Sequence, residues 1–558
     1  MNLPIAPQAE GRVFSAGRTA ASRVAPWVVF AFYIAASVAM QRLSGANASF
    51  GGYPDEASHY LSGLMIHDYV RAGMPKAPLA YASEYYAHIP YIAVGYWPPL
   101  FYIVLGFWML CAGIARSAAL LLTAAITAAL ASIVQRQASP RFGWWTGVLS
   151  GMVFLAAPCV QWSNNLVMTD TSVALFGLLA SLACGEYLET GRLRPAIKLA
   201  VWSAAAILVK LSGAWVFVLL PAGILLTGKF YLLRRRATWL SYGLALGLCG
   251  PWLWATRHLL AKAQMSNPAP VAHFLEFFPV VCVMAFGAAP LALVAVLGWI
   301  VNVAAARRLP PAWLILMMQP AAALANVAAA TGMTPEPRHT VPSIPVVVLC
   351  LASGVWWLAG WVPGSWRREW KAATGMLICL ALAVFHTGLV KAAPDDFSGM
   401  IAQAIEADPH LRGDAALVAP AEGAGGSLIA ELAIRTARRP GGISLVRANK
   451  ALAAVGWNGE NYALRLKSAS EVQRFLEENC LAVVITREGA VHDPHYDLLL
   501  QALRQYQDRW QQLGEFGRPA TIWRLYHLRA HQACAPGALR DRIVEGISSE
   551  FHGRGPDR

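Results

Sequence analysis

Residues 97–114 have the sequence WPPLFYIVLGFWMLCAGI, and the interpretation of this apolar run decides how the whole chain crosses a membrane. The run opens on a Trp-Pro-Pro motif and holds four further aromatic side chains. Trp and Tyr are typical of the membrane–water interface, and paired prolines oppose a continuous helix. We therefore predict an interfacial or re-entrant helix here rather than a span.

The composition indicates a protein whose main solvent is the lipid bilayer. Of 558 residues, 57% are hydrophobic and 14% are charged, whereas about a quarter of the residues in a soluble protein are charged. Eleven other apolar runs are long enough to cross roughly 30 Å of hydrocarbon. They lie near residues 26–41, 116–134, 144–161, 171–188, 196–209, 212–227, 238–255, 279–300, 311–330, 344–362 and 371–390.

The basic residues between these runs set the orientation. Five clusters in short loops are expected to be cytoplasmic by the positive-inside rule: Arg136/Arg141, Arg192/Arg194/Lys198, Lys229/Arg234/Arg235/Arg236, Arg307/Arg308 and Arg367/Arg368/Lys371. All five fall on that side only when the run at 97–114 does not cross. The formal charge of +14 therefore reflects membrane topology rather than nucleic-acid binding. We predict eleven spans plus the interfacial helix, with the N-terminus in the cytoplasm and the C-terminus outside.

The sequence predicts four parts along the chain. A cytoplasmic tail (1–25) precedes a membrane domain (26–391) with a long outer loop (42–96). Residues 392–535 alternate between predicted strands and amphipathic helices, which is typical of a small α/β domain, here extracytoplasmic, and residues 536–558 are predicted to be disordered. The predicted strands are 414–421, 442–448, 480–488 and 521–528, and the predicted helices are 427–437 and 468–479.

Two features of the α/β domain require a separate interpretation. The motif GAGGS (423–427) follows a strand and precedes a helix. It lacks both the spacing and the Lys-Ser/Thr pair of a phosphate-binding loop, so we predict a plain turn. Cys480 and Cys534 are either a disulfide pair, as an oxidising compartment permits, or two unpaired thiols.

The outer loop contains the most chemically distinctive motif, GGYPDEASHY at 51–60. Asp55 and Glu56 follow Pro54 at the predicted start of a helix, where the helix dipole and free N–H groups stabilise a carboxylate. A simple helix cap is therefore one interpretation. His59 lies one turn further along and would share a helical face with these acids. The other interpretation is a site that binds a cation or moves a proton.

Three more polar positions lie at the predicted outer ends of spans. Asp170, at the end of the motif NNLVMTD, either caps the next helix or serves a site, because ionisable groups beside spans are costly. Lys210 interrupts a long apolar stretch, and it either snorkels to the interface or lines a polar cavity that binds an anion. The turn TPEPRHTVPSIP (334–345) holds Arg338, which suits phosphate recognition. A structural salt bridge between Arg338 and Glu336 is the competing interpretation.

In this order, the features resemble the integral-membrane glycosyltransferases of the GT-C fold. The resemblance covers about residues 20–390, and its closest branch contains the protein O-mannosyltransferases and the lipid A aminoarabinose transferases. It rests on Asp55-Glu56, Trp97-Pro98-Pro99-Leu100, Thr169-Asp170 at the outer end of a span, and Pro337-Arg338-His339. One departure is the Arg-His-Thr order at 338–340, where this branch more usually has Arg-Tyr.

The resemblance implies an activity at the outer, periplasmic face of a bacterial inner membrane. There the protein would move a sugar from a polyprenyl-phosphate donor to a lipid, protein or polysaccharide acceptor. The implied site residues are Asp55, Glu56 and Asp170 for catalysis, Lys210, Arg338 and His339 for the donor phosphate, and His59, Glu84 and His88 for a divalent metal ion. Asp55 would be the general base or a metal ligand, with Glu56 supporting it. The family varies in metal dependence, so the metal stays one alternative.

A secondary transporter or lipid flippase is the main alternative function. Transporters commonly show repeated halves and helices broken at the membrane midplane. Here no internal repeat is evident, and the polar residues gather in outer loops. A third interpretation, a non-catalytic membrane scaffold with a ligand-binding outer domain, is supported only by the presence of the α/β domain.

Overall fold

A computed structural model describes most of the chain. The described residues are 20–93, 95–263, 272, 275–276, 286–306, 309–330, 336–392, 397–420, 422–439, 441–455, 462–488, 493–519, 521–529, 539 and 541. The predicted cytoplasmic tail up to residue 19, the Arg307/Arg308 cluster, Cys534 and nearly all of the predicted disordered tail lie outside this set.

Helices account for most of the described structure. In chain order they are α1 (Ala20–Leu43), α2 (Pro54–Arg71), α3 (Pro78–His88), α4 (Leu100–Ala112), α5 (Arg116–Phe142), α6 (Trp144–Ala156), α7 (Pro158–Asn164), α8 (Asp170–Thr190), α9 (Leu193–Val209), α10 (Val216–Thr227), α11 (Arg236–Ala255), α12 (Arg257–Ala263), α13 (Ala289–Ala304), α14 (Pro311–Ala330), α15 (Ile344–Ala359), α16 (Arg368–Thr387), α17 (Ser398–Ala407), α18 (Glu422–Leu432), α19 (Ala448–Ala451), α20 (Ala469–Glu478) and α21 (Pro494–Gln505). Short 3₁₀ turns lie at Leu211–Trp215, Phe230–Arg234, Pro337–Thr340 and Pro409–Leu411, and a π turn lies at Ala433–Ala437.

Among the described residues, five helices are long and apolar enough to cross a membrane. A sixth candidate is the pair α6 and α7, which is bent by 68° where Pro158 opens α7 and interrupts helix continuation. Several other apolar helices, including α13 and α15, have 10–17 residues. Length and composition thus give fewer spans than the eleven predicted, and the number of spans stays a prediction.

Helix α4 (Leu100–Ala112) is the helical part of the apolar run 97–114, on which the predicted topology depends. Its 13 residues extend about 20 Å at 1.5 Å per residue, which is less than the roughly 30 Å of a bilayer core. It packs closely on α2: a Cβ on Gly63 would lie 2.6 Å from a Leu105 side-chain carbon, and a Cβ on Gly106 would lie 2.7 Å from Ile66. Helices α13 and α15 are also shorter than a bilayer core, so the non-spanning character of residues 97–114 stays a prediction.

The chain forms two compact units, which are built from interleaved segments. The first falls within residues 1–45, 120–255 and 264–392, and it contains most of the apolar helices. The second falls within residues 46–119, 256–263 and 393–558. From residue 46 onward, the predicted outer loop therefore shares a compact unit with the predicted C-terminal α/β domain.

The first unit is held together partly by glycines at helix crossings. A Cβ on Gly298 of α13 would lie 1.8 Å from the carbonyl oxygen of Cys350 in α15, and a Cβ on Gly354 would lie 2.2 Å from the carbonyl oxygen of Val294. Small residues of this kind let helix backbones approach closely within a membrane.

Gly298→Ala is expected to lower the thermal unfolding temperature of the purified chain. The added methyl group must push α13 and α15 apart, and overpacking of this kind costs about 1–3 kcal/mol. Gly247→Ala is the matched control, because nothing lies within 4 Å of its added Cβ and alanine favours a helix over glycine by about 1 kcal/mol. Equal unfolding temperatures for the two variants would contradict the close crossing.

The predicted α/β domain (residues 392–535) contains a five-stranded sheet with the order β2-β1-β5-β7-β6. The strands are β1 (Ala415–Val418), β2 (Ser444–Arg447), β3 (Ala453–Ala454), β4 (Ala463–Leu464), β5 (Val483–Glu488), β6 (Trp510–Arg518) and β7 (Thr521–Leu528). β1 pairs in parallel with β2 and β5, while β7 pairs antiparallel with β5 and β6. Strands β3 and β4 form a separate two-stranded sheet.

The four predicted strands are confirmed as β1, β2, β5 and β7, and both predicted helices are present as α18 with its π turn and α20. The turn predicted for GAGGS is wrong, since these residues lie inside α18. Sequence analysis also missed α21 and β6, which fill the stretch between the last two predicted strands. Cys480 is disulfide-bonded.

Candidate active site

Asp55 lies in the first turn of α2, in the second compact unit. Pro54 is the first helical residue and Tyr53 is the N-cap, with no side-chain capping bond. Asp55 is therefore not the N-cap residue, although both it and Glu56 occupy the first turn, where the helix dipole favours negative charge. The Asp55 side chain is half-buried, whereas that of Glu56 is fully buried.

Glu56 is engaged in a buried ion pair. Arg116, at the start of α5, donates to Glu56 Oε1 from Nη2 at 2.6 Å and from Nε at 3.0 Å, and the backbone N–H of Gly51 donates to Glu56 Oε2 at 2.7 Å. The Arg116 guanidinium also lies 5.3 Å above the centre of the Phe50 ring. These contacts tie the segment before α2 to the start of α5. Sequence analysis did not single out Arg116.

A histidine–tyrosine pair lies one turn beyond Asp55. His59 Nδ1 and the Tyr102 hydroxyl of α4 are hydrogen-bonded at 3.0 Å, and both side chains are buried. The His59 ring also makes an edge contact with Trp97. The pKa of the Tyr102 phenol lies well above its ordinary value, mainly because the phenol is buried and to a smaller extent because Asp55 is negatively charged.

The three residues predicted to bind a metal ion lie on two different helices and have different contacts. Glu84 of α3 forms an exposed ion pair with Lys76 at 2.5 Å, His88 lies in the last turn of α3, and His59 contacts Tyr102. In the part of the chain that the structure describes, no group of three or more His, Cys, Asp or Glu side chains forms a potential metal site.

In the first unit, the structure brings Asp170 and Lys210 together. Asp170 is the first residue of α8. Lys210 has an extended backbone conformation and lies between the end of α9 and the 3₁₀ turn Leu211–Trp215. The Lys210 ammonium donates to Asp170 Oδ1 at 2.7 Å, and both side chains are buried. Lys210 therefore does not snorkel to the interface as one interpretation proposed.

This ion pair borders a narrow cavity. The other lining residues are Val173, Ser212, Trp215, Ala323, Val327, His339 and Pro342. Asp170 Oδ2 and Trp215 Nε1 are both buried and have no hydrogen-bond partner among the described residues. Both atoms belong to residues that line the cavity, and an unsatisfied buried polar atom is costly.

The 3₁₀ turn Pro337–Thr340 contains His339, which lines this cavity, and Arg338, which lies beside Glu336. The Arg338 and Glu336 side chains approach to 2.6 Å (Nε to Oε2), and Arg338 is largely buried. The salt bridge considered from the sequence is therefore present. The backbone N–H of Glu336 also donates to His339 Nδ1 at 3.4 Å, so the side chains of Glu336 and His339 stabilise the short 3₁₀ turn.

The asparagines of NNLVMTD have a structural role in the first unit. Asn164 donates to the Ser37 carbonyl oxygen at 3.1 Å, and Asn165 accepts from Ser44 at 3.0 Å and donates to the Val390 carbonyl oxygen at 2.9 Å. They connect the end of α7 to α1 and to the segment after α16.

Lys210→Ala is expected to destabilise the chain by about 3 kcal/mol, because it removes the cation that pairs with a buried carboxylate. Lys198→Ala is the matched control, since Lys198 pairs with Glu186 where both side chains are nearly half exposed, and such a pair contributes at most about 1 kcal/mol. Unfolding of the purified variants measures both effects. A Lys210→Ala protein as stable as the Lys198→Ala protein would refute the buried pair.

The chain is similar to the crystal structure of ArnT from Cupriavidus metallidurans in the apo state, with a TM-score of 0.58 and 15% identity over 90% of this chain and 98% of that one. It is also similar to the same protein bound to undecaprenyl phosphate, with a TM-score of 0.57 and 16% identity over 89% of this chain and 98% of that one. The chain has the ArnT fold. No family model and no curated protein matches the sequence.

The ArnT fold confirms the fold resemblance seen in the sequence, because ArnT is a GT-C glycosyltransferase. The likeness to ArnT extends over nearly the whole chain, beyond the residues 20–390 on which the resemblance was based.

Proposed function

We propose that the protein is a membrane glycosyltransferase that uses a polyprenyl-phosphate-linked sugar as donor at the periplasmic face of a bacterial inner membrane. The observation that carries the proposal is the likeness to ArnT over 90% of the chain, together with the solved complex of ArnT with undecaprenyl phosphate. The acceptor is a hydroxyl-bearing lipid, protein or polysaccharide.

In the proposed reaction, Asp55 is the general base. The acceptor oxygen forms a bond to the anomeric carbon while the bond from that carbon to the phosphate oxygen breaks, and the bonding electrons leave with the polyprenyl phosphate. The acceptor proton passes to the Asp55 carboxylate, a transfer that typically contributes about 10²–10⁴-fold to the rate. Asp55 is a half-buried carboxylate in the first turn of α2, where the helix dipole favours negative charge, and a base requires an anion.

Glu56 has a positioning role in this proposal. Its carboxylate already accepts from Arg116 and Gly51, so it fixes the first turn of α2 and leaves proton transfer to Asp55. His59 and Tyr102 form a second buried contact below the same turn.

In this proposal, the donor phosphate binds to the basic residues of the 3₁₀ turn Pro337–Thr340 and to Lys210. Lys210 and His339 line the cavity, where Asp170 holds the Lys210 ammonium in place. Arg338, held by Glu336, is the third phosphate contact. Positive charge fixed near a departing phosphate stabilises the negative charge that develops there. A divalent ion remains an additional proposal for the site.

The test is turnover by the purified full chain in proteoliposomes. A panel of undecaprenyl-phosphate-linked hexoses and pentoses is supplied with a membrane lipid extract as acceptor, and release of undecaprenyl phosphate is measured. Release with at least one donor is expected. Movement of the lipid-linked sugar across the bilayer without cleavage would instead identify a flippase and overturn the proposal.

A further inference from the structure

We propose that the C-terminal α/β domain positions Asp55, because the domain holds helix α2 at both of its ends. The proposal rests on the function proposed above for Asp55. It assigns a role to the glycines of GAGGS, which the sequence left as a plain turn, and to Arg438, which sequence analysis did not notice. All of these residues lie in the second compact unit.

The first contact lies beside Asp55, where α18 meets the start of α2 with no space for a side chain. A Cβ on Gly423 would lie 2.0 Å from the carbonyl oxygen of Gly52, and a Cβ on Gly426 would lie 2.6 Å from the Tyr91 ring and 3.1 Å from the Cβ of Ala57. Gly52 and Ala57 flank Asp55 in the chain. Only glycine at these two positions of α18 allows this approach.

The second contact lies at the far end of α2. Arg438, directly after the π turn that ends α18, donates to Asp68 from Nε (2.7 Å, to Oδ2) and from Nη2 (2.5 Å, to Oδ1). The Tyr85 hydroxyl donates to the same carboxylate at 3.0 Å. A bidentate arginine–carboxylate pair fixes both distance and orientation. Both charged side chains are largely buried, so water screens the pair weakly.

Two contacts near opposite ends define the position of a rigid helix. Helix α2 has 18 residues and extends about 27 Å, so a fixed point at each end prevents it from tilting. Release of the Asp68 end would let the helix tilt about its remaining contact and change the orientation of the Asp55 side chain. A misplacement of about 1 Å at a reacting group can lower the rate about 10²-fold, so small movements of this helix matter for the reaction.

Arg438→Ala in the full chain tests the proposal. We expect kcat for the donor that the wild-type protein accepts to fall at least about 10-fold, while KM for that donor stays within about twofold because no donor contact is removed. Arg438→Lys keeps the charge but loses the bidentate geometry, so it should recover part of the lost kcat.

Arg439→Ala is the matched control. Arg439 is the next residue, and it pairs with Glu406 at the surface of the same domain with most of its side chain exposed. Turnover is expressed per folded molecule, with thermal unfolding measured for each variant. If Arg438→Ala does not fold, Gly423→Ala applies the same test at the other end of α2, because its Cβ would lie 2.0 Å from the carbonyl oxygen of Gly52.

The outcomes separate this proposal from the proposed function. Equal kcat per folded molecule for the Arg438→Ala and Arg439→Ala proteins would overturn the positioning role while leaving transferase activity in place. Full activity of an Asp55→Asn protein would instead remove the base on which both proposals depend.

Discussion

Asp55→Asn is expected to lower sugar transfer by about 10²–10⁴-fold, the usual contribution of a positioned general base. Asparagine has nearly the same shape as aspartate but does not accept a proton, so the start of α2 should be preserved. Turnover of the undecaprenyl-phosphate sugar by the purified full chain measures the effect. Thermal unfolding, measured in parallel, should change little because Asp55 is only half-buried.

Asp497→Asn provides the control for this substitution. Asp497 is also an acid in the first turn of a helix that opens with proline, here α21, and its side chain is exposed. The control variant should turn over donor like the wild-type protein. Transfer by Asp55→Asn at the level of Asp497→Asn would contradict the assignment of the base.

Arg116→Ala is expected to have the largest effect on stability, about 5 kcal/mol of destabilisation, since it leaves the carboxylate of Glu56 buried without its counter-ion. Glu56 has no exposed surface and Arg116 is 6% exposed, so water cannot replace the lost partner. The cation–π contact with Phe50 is lost as well. The unfolding temperature of the purified chain, and its yield in the membrane fraction, report the change.

Lys76→Ala is the matched control for Arg116→Ala. Lys76 and Glu84 form an ion pair in the same unit, but their side chains are 51% and 44% exposed, and exposed pairs contribute about 0–1 kcal/mol. A loss of stability in Lys76→Ala equal to that in Arg116→Ala would show that burial does not control the strength of these pairs.

Local chemistry made the start of α2 predictable from the sequence. Proline at the first helical position followed by two acids is a helix-start signal that depends on neighbouring residues only. The strands of the α/β domain were predictable for a similar reason, because β-branched and aliphatic runs such as those of β5 carry their own signal. Strand β6 carries three glutamine or glutamate residues and two glycines, and its pattern therefore did not indicate a strand.

The partners of the charged residues were not predictable, because they are set by tertiary packing. Asp170 and Lys210 lie 40 residues apart, and Glu56 and Arg116 lie 60 residues apart, with complete helices between them. A single sequence contains no signal for which helix faces meet. GAGGS was misassigned for a similar reason: glycine disfavours a helix locally, and the sequence does not show the approach of Gly52 that requires glycine at position 423.

The number of spans depends on features that hydropathy averages conceal. The bend before Pro158 and the shortness of α13 and α15 reduce the number of helices that pass a simple length test. Apolar runs show which segments avoid water, but they do not show where a helix within a run breaks.

Mass spectrometry of outer-face glycoconjugates tests the central claim most directly. Cells with the gene, without it, and with only the Asp55→Asn allele are compared. We predict a sugar-sized mass increment on a lipid, protein or polysaccharide that is present with the wild-type gene and absent from both other strains. Identical glycoconjugates in the three strains, with the wild-type protein present in the membrane, would contradict the account.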